Sequence, residues 1–130
     1  MADNIILIDT SILIDYFRKS DKANSKLISL VKSGYNFQIS SVTEYEIFAG
    51  ATIMQKNFWL ELLENIVVLP FDKIAASVAV EINANLKLKR KQIAIADLFI
   101  AATAISNNIP IATLNLKHFE RIDDLQIVGL

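Results

Sequence analysis

Ile5-Ile6-Leu7-Ile8 is an unbroken apolar run that stops at a carboxylate, Asp9. So short a run, with no polar alternation, predicts a strand buried on both faces, the pattern of a parallel sheet covered by helices on either side. The rest of the chain supplies the matching alternation of strands and helices. A helix is predicted from about Ser11 to Phe17, and Leu27, Ile28 and Val31 give the inward stripe of a second helix that ends at Gly34. Phe37-Gln38-Ile39-Ser40 reads as a short strand. Ser41-Val42-Thr43-Glu44 matches a capping box opening a helix that runs to about Gly50.

Phe58, Trp59, Leu62 and Leu63 place one apolar face on a further helix, and Ile66-Val67-Val68-Leu69, closed by Pro70, is a third strand. Asp72 caps a helix whose stripe is Ile74, Val78, Ile82 and Leu86. An alanine-rich helix around Asp97 ends at Asn107-Asn108 with Pro110 as its stop. Ile111-Ala112-Thr113 is a fourth strand and Gln126-Ile127-Val128 an edge strand. Three glycines, two prolines and no internal repeat or linker over 130 residues predict one domain, residues 1–130.

Composition removes several kinds of chemistry. With no cysteine there is neither a disulfide frame nor a thiolate, and a single histidine, His118, argues against multi-imidazole zinc sites. Met1-Ala2-Asp3-Asn4 lacks a basic leader segment, and the apolar runs fall far short of the roughly 20 residues of a membrane span, so a soluble, cytoplasmic protein is expected. Thirteen Lys and Arg against fourteen Asp and Glu give a net charge of −1, so any polyanion must be gripped by a local patch.

Asp97 lies within Ile93-Ala94-Ile95-Ala96-Asp97-Leu98-Phe99-Ile100-Ala101-Ala102-Thr103-Ala104-Ile105. A carboxylate taken out of water without a partner costs several kcal/mol (about 2 or more), so it needs a cation or a proton. In open parallel sheets ligands bind beyond the carboxyl ends of the strands. Asp9 ends the first strand, Glu46 lies one turn into the helix after the second, and Asn115 follows the fourth. Asp9 can also serve as the cap of the following helix, and Asp97 as a protonated or water-bridged core residue. Glu44 has the capping box as its task, whereas Glu46 shares a face with Val42, Ala49 and Gly50; helix geometry leaves both open. Asp15, one turn before Lys19, reads as an ordinary exposed ion pair.

Three carboxylates in one pocket are most economically kept ionised by Mg²⁺ or Mn²⁺, hard cations suited to oxygen ligands. Such a centre activates water for attack on a phosphodiester. Lys87, Lys89, Arg90 and Lys91 can neutralise nucleic-acid phosphates, or simply complement a helix C-terminus. His118 is a packed residue, a ligand or a substrate contact. Leu116, Phe119, Phe58 and Trp59 are expected as core anchors.

Ile8-Asp9-Thr10-Ser11, Ser40-Ser41-Val42-Thr43 with Glu46-Ile47 and Gly50, Ala96-Asp97-Leu98 with Ile100-Ala101-Ala102-Thr103-Ala104, and Thr113-Leu114-Asn115 with His118-Phe119 together resemble a PIN-domain ribonuclease. In size and coverage the chain looks most like the VapC toxins of toxin–antitoxin pairs. The resemblance implies a three-layer α/β/α fold around a central, mainly parallel four- to five-stranded sheet, and Mg²⁺- or Mn²⁺-dependent endonucleolytic cleavage of RNA. It implies Asp9, Glu46 and Asp97 as the acidic metal-site positions, selecting Glu46 over Glu44, and Thr10, Ser11 and Thr113 as supporting hydroxyls. Asn115 then assists the attacking water, and Lys87, Lys89, Arg90, Lys91 and His118 contact RNA. A homodimer and a cognate antitoxin are implied as well. The chain departs from the family where many members carry a fourth acid, since Asn115 and His118 stand there, and where a glycine often precedes the Asp97 helix, since Arg90-Lys91 stands there.

Three other readings compete: a housekeeping nuclease of the same fold, a phosphatase using Asp9 as nucleophile, and a catalytically silent module binding RNA or a partner. The phosphatase reading is weakened by Ser11, where a second aspartate usually stands.

Overall fold

A computed structural model describes residues 4–129 of the chain, so the reading of Met1-Ala2-Asp3 lies outside the described residues. Its centre is a four-stranded parallel sheet of β1 (Ile5–Ile8), β2 (Asn36–Ser40), β3 (Val68–Leu69) and β4 (Ile111–Ala112), in the order β3-β2-β1-β4. The expected edge strand at Gln126–Val128 is reduced to a single parallel bridge between Ile111 and Ile127. The helices are α1 (Thr10–Arg18), α2 (Lys26–Lys32), α3 (Ser41–Gly50), α4 (Ile53–Leu63), α5 (Lys73–Lys89), α6 (Ile95–Ser106) and α7 (Leu116–Phe119).

The unbroken run of β1 is explained by what lies on its two faces. Ile6 and Ile8 pack with Ile12, Leu13, Leu27, Ile39, Trp59 and Leu63, while Leu7 points the other way into Leu86, Ile100, Ala101, Ile111 and Phe119. Successive side chains of a strand alternate faces, so only a strand covered twice must be apolar at every position. Trp59 is 2% exposed and Phe119 is fully buried, as expected of anchors.

Several faces differ from the sequence reading. In α2 the buried residues are Leu27 and Leu30, and Val31 is 45% exposed. In α5 they are Ala75, Ala79 and Leu86, and Ile74 is 65% exposed. Four-residue steps along a helix of 3.6 residues per turn rotate by about 40° each, so a strict i,i+4 stripe cannot keep its first member on the buried side. Leu116 is half-exposed rather than a core anchor. The helix after β2 begins one residue earlier than the capping box implied: the Ser40 hydroxyl accepts from Thr43 N–H, while Ser41 Oγ accepts from Phe71 N–H across to the β3–α5 connection.

Arg90 closes α5 in the left-handed region (φ 56°, ψ 40°), where the family's glycine was noted as missing. Gly34 fills the same kind of position after α2, with φ 94°.

Candidate active site

The carboxyl end of β1 carries Asp9, and the neighbouring ends of β2 and β4 carry Ser40 and Thr113. Asp9 is 2% exposed. Its Oδ1 accepts from Ile12 N–H at 3.3 Å, which caps α1, and from Ser11 Oγ at 2.6 Å. Its Oδ2 accepts from Thr113 Oγ1 at 2.5 Å. Capping is thus one of its roles, and it occupies only part of the carboxylate.

Backbone donors fix the direction of both hydroxyls. Leu114 N–H donates to Ser11 Oγ at 2.9 Å, and Asn115 N–H donates to Thr113 Oγ1 at 2.8 Å. Each hydroxyl proton is therefore free to point at Asp9. Burial pushes the Asp9 carboxyl above its ordinary range; the Ser11, Thr113 and Ile12 donors pull it back, and the Asp97 charge pushes it up further, leaving it raised.

Asp97 lies in the first turn of α6, a helix that starts at Ala94 without a side-chain cap. Carboxylates at that end gain from the helix dipole. Its side chain is 17% exposed, and Oδ2 stands 3.1 Å from His118 Nδ1. It is half-buried at the mouth of a cleft, and its neighbour Ile95 is 67% exposed, so the apolar stretch is not wholly interior.

Glu46 is held from below. Thr10 Oγ1 donates to Glu46 Oε1 at 2.6 Å and lies 3.3 Å from Thr43 Oγ1, which in turn lies 3.4 Å from Ser40 Oγ. The inward stripe used to favour Glu46 is absent, because Ala49 and Gly50 are exposed. A threonine one element away does the positioning instead.

Asp9, Thr10, Ser11, Glu46, Asp97 and Asn115 all line one open cleft of about 620 Å³. Thr113 sits beneath it, 4% exposed. Arg18 on the wall escaped sequence reading. Asp15 and Lys19 do pair, at 3.6 Å, but not as an ordinary exposed pair: the Asp15 side chain is only 16% exposed and both residues line the cleft. The usable signal was spacing, since Ser11, Asp15 and Arg18 recur along one face of α1.

The basic cluster is divided. Lys89 Nζ bonds both oxygens of Asp123, at 2.8 and 2.9 Å. Arg90 and Lys91 line a different cleft, and none of Lys87, Lys89, Arg90 and Lys91 lines the carboxylate cleft.

Among the described residues, no three His, Cys, Asp or Glu side chains stand close enough together to cage a metal ion. The donor set still fits a hard cation. Mg²⁺ keeps several of its own waters and takes only one or two carboxylates, and Asp9 and Asp97 are near enough for one charge to raise the pKa of the other. Glu46 and Asn115 complete an oxygen-rich wall around that pair.

Comparison with known proteins agrees with this arrangement. The PIN domain family matches residues 6–125. Ribonuclease VapC1 of Methanocaldococcus jannaschii is 35% identical, over 92% of this chain and 82% of that protein. Ribonuclease VapC of Rickettsia bellii is 34% identical, over 95% and 94%. A crystal structure of DNA-bound VapBC from Salmonella typhimurium superposes with a TM-score of 0.80 at 26% identity, over 98% of both chains. The four motif segments thus meet on one rim of a parallel sheet, relatives match along nearly the whole chain, and the protein belongs to the PIN-domain family, within its VapC type.

Proposed function

We propose that this chain is a divalent-metal-dependent endoribonuclease and the toxin of a toxin–antitoxin pair, acting as one domain in the cytoplasm. One observation carries the reading: buried Asp9 and half-buried Asp97 share an open cleft, and among the described residues neither is ion-paired to a lysine or arginine. Two such carboxylates call for a cation from solution. That the relatives from Methanocaldococcus and Rickettsia are ribonucleases supports RNA as the substrate.

Asp9 and Asp97 would hold Mg²⁺ or Mn²⁺, which when bound would supply Lewis-acid stabilisation of the phosphoryl oxygens and a more acidic water. Ser11 and Thr113 hold Asp9 in one orientation with both oxygens in charge-assisted hydrogen bonds. Thr10 holds Glu46 by Oε1, leaving Oε2 to take the proton of the attacking water. The Asn115 amide, on the cleft wall, orients that water, and exposed Arg18 on the same wall neutralises a non-bridging phosphate oxygen. In-line attack of that water forms a P–O bond as the P–O3′ bond breaks, and the departing 3′-oxygen takes a proton from solvent, giving a 5′-phosphate and a 3′-hydroxyl.

The phosphatase reading needs an Asp9 oxygen free to attack phosphorus. Both oxygens already accept hydrogen bonds and the residue is buried, which disfavours a nucleophile there.

A homodimer fits the apolar surface where Val80 and Ile95 are each 67% exposed or more, beside stacked Phe71 and Phe99. Among the described residues no helix is long and apolar enough to cross a membrane.

The purified chain should cut RNA with Mg²⁺ or Mn²⁺ and not with EDTA, and Asp97→Asn should be inert while folded. RNA bound but never cut under any divalent metal would instead establish a silent binding module.

A further inference from the structure

The turn from Leu114 to Arg121 distributes its side chains over two clefts. Leu114 and Asn115 line the carboxylate cleft, and His118 reaches Asp97. Lys117 and Arg121, one helical turn apart, join Arg90 and Lys91 around a second open cleft of about 620 Å³. Only one acid, Glu120, lines it. In a protein whose net charge is −1, four cations around one cleft are a concentrated exception.

The cleft is assembled rather than incidental. Arg121 Nη1 donates to Gln92 O at 3.1 Å and Lys91 O at 3.5 Å, tying the α7 segment to the α5–α6 connection. Arg90 turns that connection in a left-handed conformation that glycine adopts at no steric cost, and an L-residue pays about 1–2 kcal/mol for it. The residue bearing that strain is one of the cations lining the cleft. Lys89, by contrast, is occupied by Asp123.

An open cleft rimmed by flexible cations suits a polyanion better than a small molecule, which needs an enclosed, largely apolar pocket. In the Leu114–Arg121 turn that serves both clefts, Leu114 is 42% exposed and Leu116 50% exposed, offering apolar contact to unstacked bases. We infer that Arg90, Lys91, Lys117 and Arg121 grip the phosphate backbone of RNA on one side of the scissile bond. The chain thereby separates affinity from chemistry: one cleft holds the flank and the other cuts.

The inference rests on the ribonuclease reading, so its test reads binding and cleavage separately. RNA binding is measured by fluorescence anisotropy over a series of salt concentrations, using Asp97→Asn protein with and without Lys91→Gln and Lys117→Gln, both at exposed positions. Unchanged circular dichroism and melting temperature establish that the variants fold. Removing two phosphate contacts should weaken binding at low salt by about tenfold or more and reduce the log–log salt slope by about 1.4 for single-stranded RNA. In otherwise wild-type protein the same pair should raise KM for long RNA with kcat retained. With oligonucleotides extended stepwise on either side of the cut, the KM advantage of length should appear on one side and vanish in the double variant. An unchanged salt slope in a protein that still cuts RNA would overturn the inference alone. So would loss of duplex DNA binding with RNA binding intact. Wild-type protein that never cuts RNA would overturn the ribonuclease reading itself.

Discussion

Asp9 and Asp97 open two helices on the same rim and are held in opposite ways. Asp9 is buried and accepts from Ser11, Thr113 and the Ile12 N–H, so both of its oxygens are fixed before any ion arrives. Asp97 is partly open, lies on a helix with no side-chain cap, and among the described residues hydrogen-bonds only the His118 ring through its side chain. One carboxylate is a rigid post and the other an adjustable arm. In the proposed centre Asp9 would fix the location of the ion, and Asp97 would adjust to ion and substrate. Among the described residues no three-residue cage is preassembled.

The largest effect expected is on chemistry. Asp97→Asn and Asp9→Asn should each lower Mg²⁺-dependent RNA cleavage by about 100-fold or more, the loss of several kcal/mol of transition-state stabilisation. Their stabilities should separate them. Asp97→Asn should melt close to wild type, since its side chain has one partner. Asp9→Asn should change how metal-free stability depends on pH. Burial holds the Asp9 carboxyl above its ordinary value, so between the unfolded and folded values the native state carries a proton that the unfolded state has lost. Stability therefore falls as pH rises through that window, and the asparagine variant should lose this component of the slope. Identical slopes in urea titrations from pH 3 to 7 would contradict the buried, rigid post.

A smaller effect is expected one step back from the carboxylates. Thr113→Val removes the donor to Asp9 Oδ2 and strands the Asn115 N–H that Thr113 Oγ1 accepts. It should cost about 1–3 kcal/mol of stability and about 10–100-fold in Mn²⁺ affinity by calorimetry. Thr113→Ser, keeping the hydroxyl, should restore most of both. The smallest effect belongs to the arm. His118→Ala should shift Mn²⁺ affinity by only a few fold, about 1 kcal/mol for one part-exposed hydrogen bond. An effect as large as that of Thr113→Val would mean Asp97 is as rigidly held as Asp9.

The sheet was legible where a strand is marked twice, by an unbroken apolar run and by the Asp or Pro that follows it, as at Ile5–Ile8 before Asp9 and at Val68–Leu69 before Pro70. The reach of the later strands was overstated: Ile66 and Val67 lie outside β3, β4 stops at Ala112 before Thr113, and Ile127 contributes a lone bridge. Helix faces were less legible. Ile74 and Val31 were assigned inward for being apolar, yet the close approach of α5 to its neighbours is made by Ala75 and Ala79, whose small size rather than hydrophobicity qualifies them. Adjacent Ser40 and Ser41 both suit a cap, and the choice between them depends on where β2 stops, which local sequence does not encode.

The candidate site divides similarly. Asp9, Glu46, Asp97 and Asn115 could be read from strand ends and family motifs, and the structure places all four on one cleft. Arg18 was missed although its spacing from Ser11 and Asp15 puts it on their face of α1; the buried Ile12 and Leu13 occupy the other side of that helix. The basic run was read as one group from proximity in sequence. Its members part company because Asp123, 34 residues from Lys89, and Arg121, 30 residues from Lys91, approach from the far end of the chain.

The central claim is that Asp9 and Asp97 jointly hold one hard cation. Anomalous scattering from crystals soaked in Mn²⁺ locates that cation directly. The account predicts a peak between the two carboxylates, about 2.0–2.2 Å from an oxygen of each, and its loss in Asp97→Asn crystals. A well-soaked crystal with no peak there, or with Mn²⁺ bound at full occupancy away from Asp9, would contradict it.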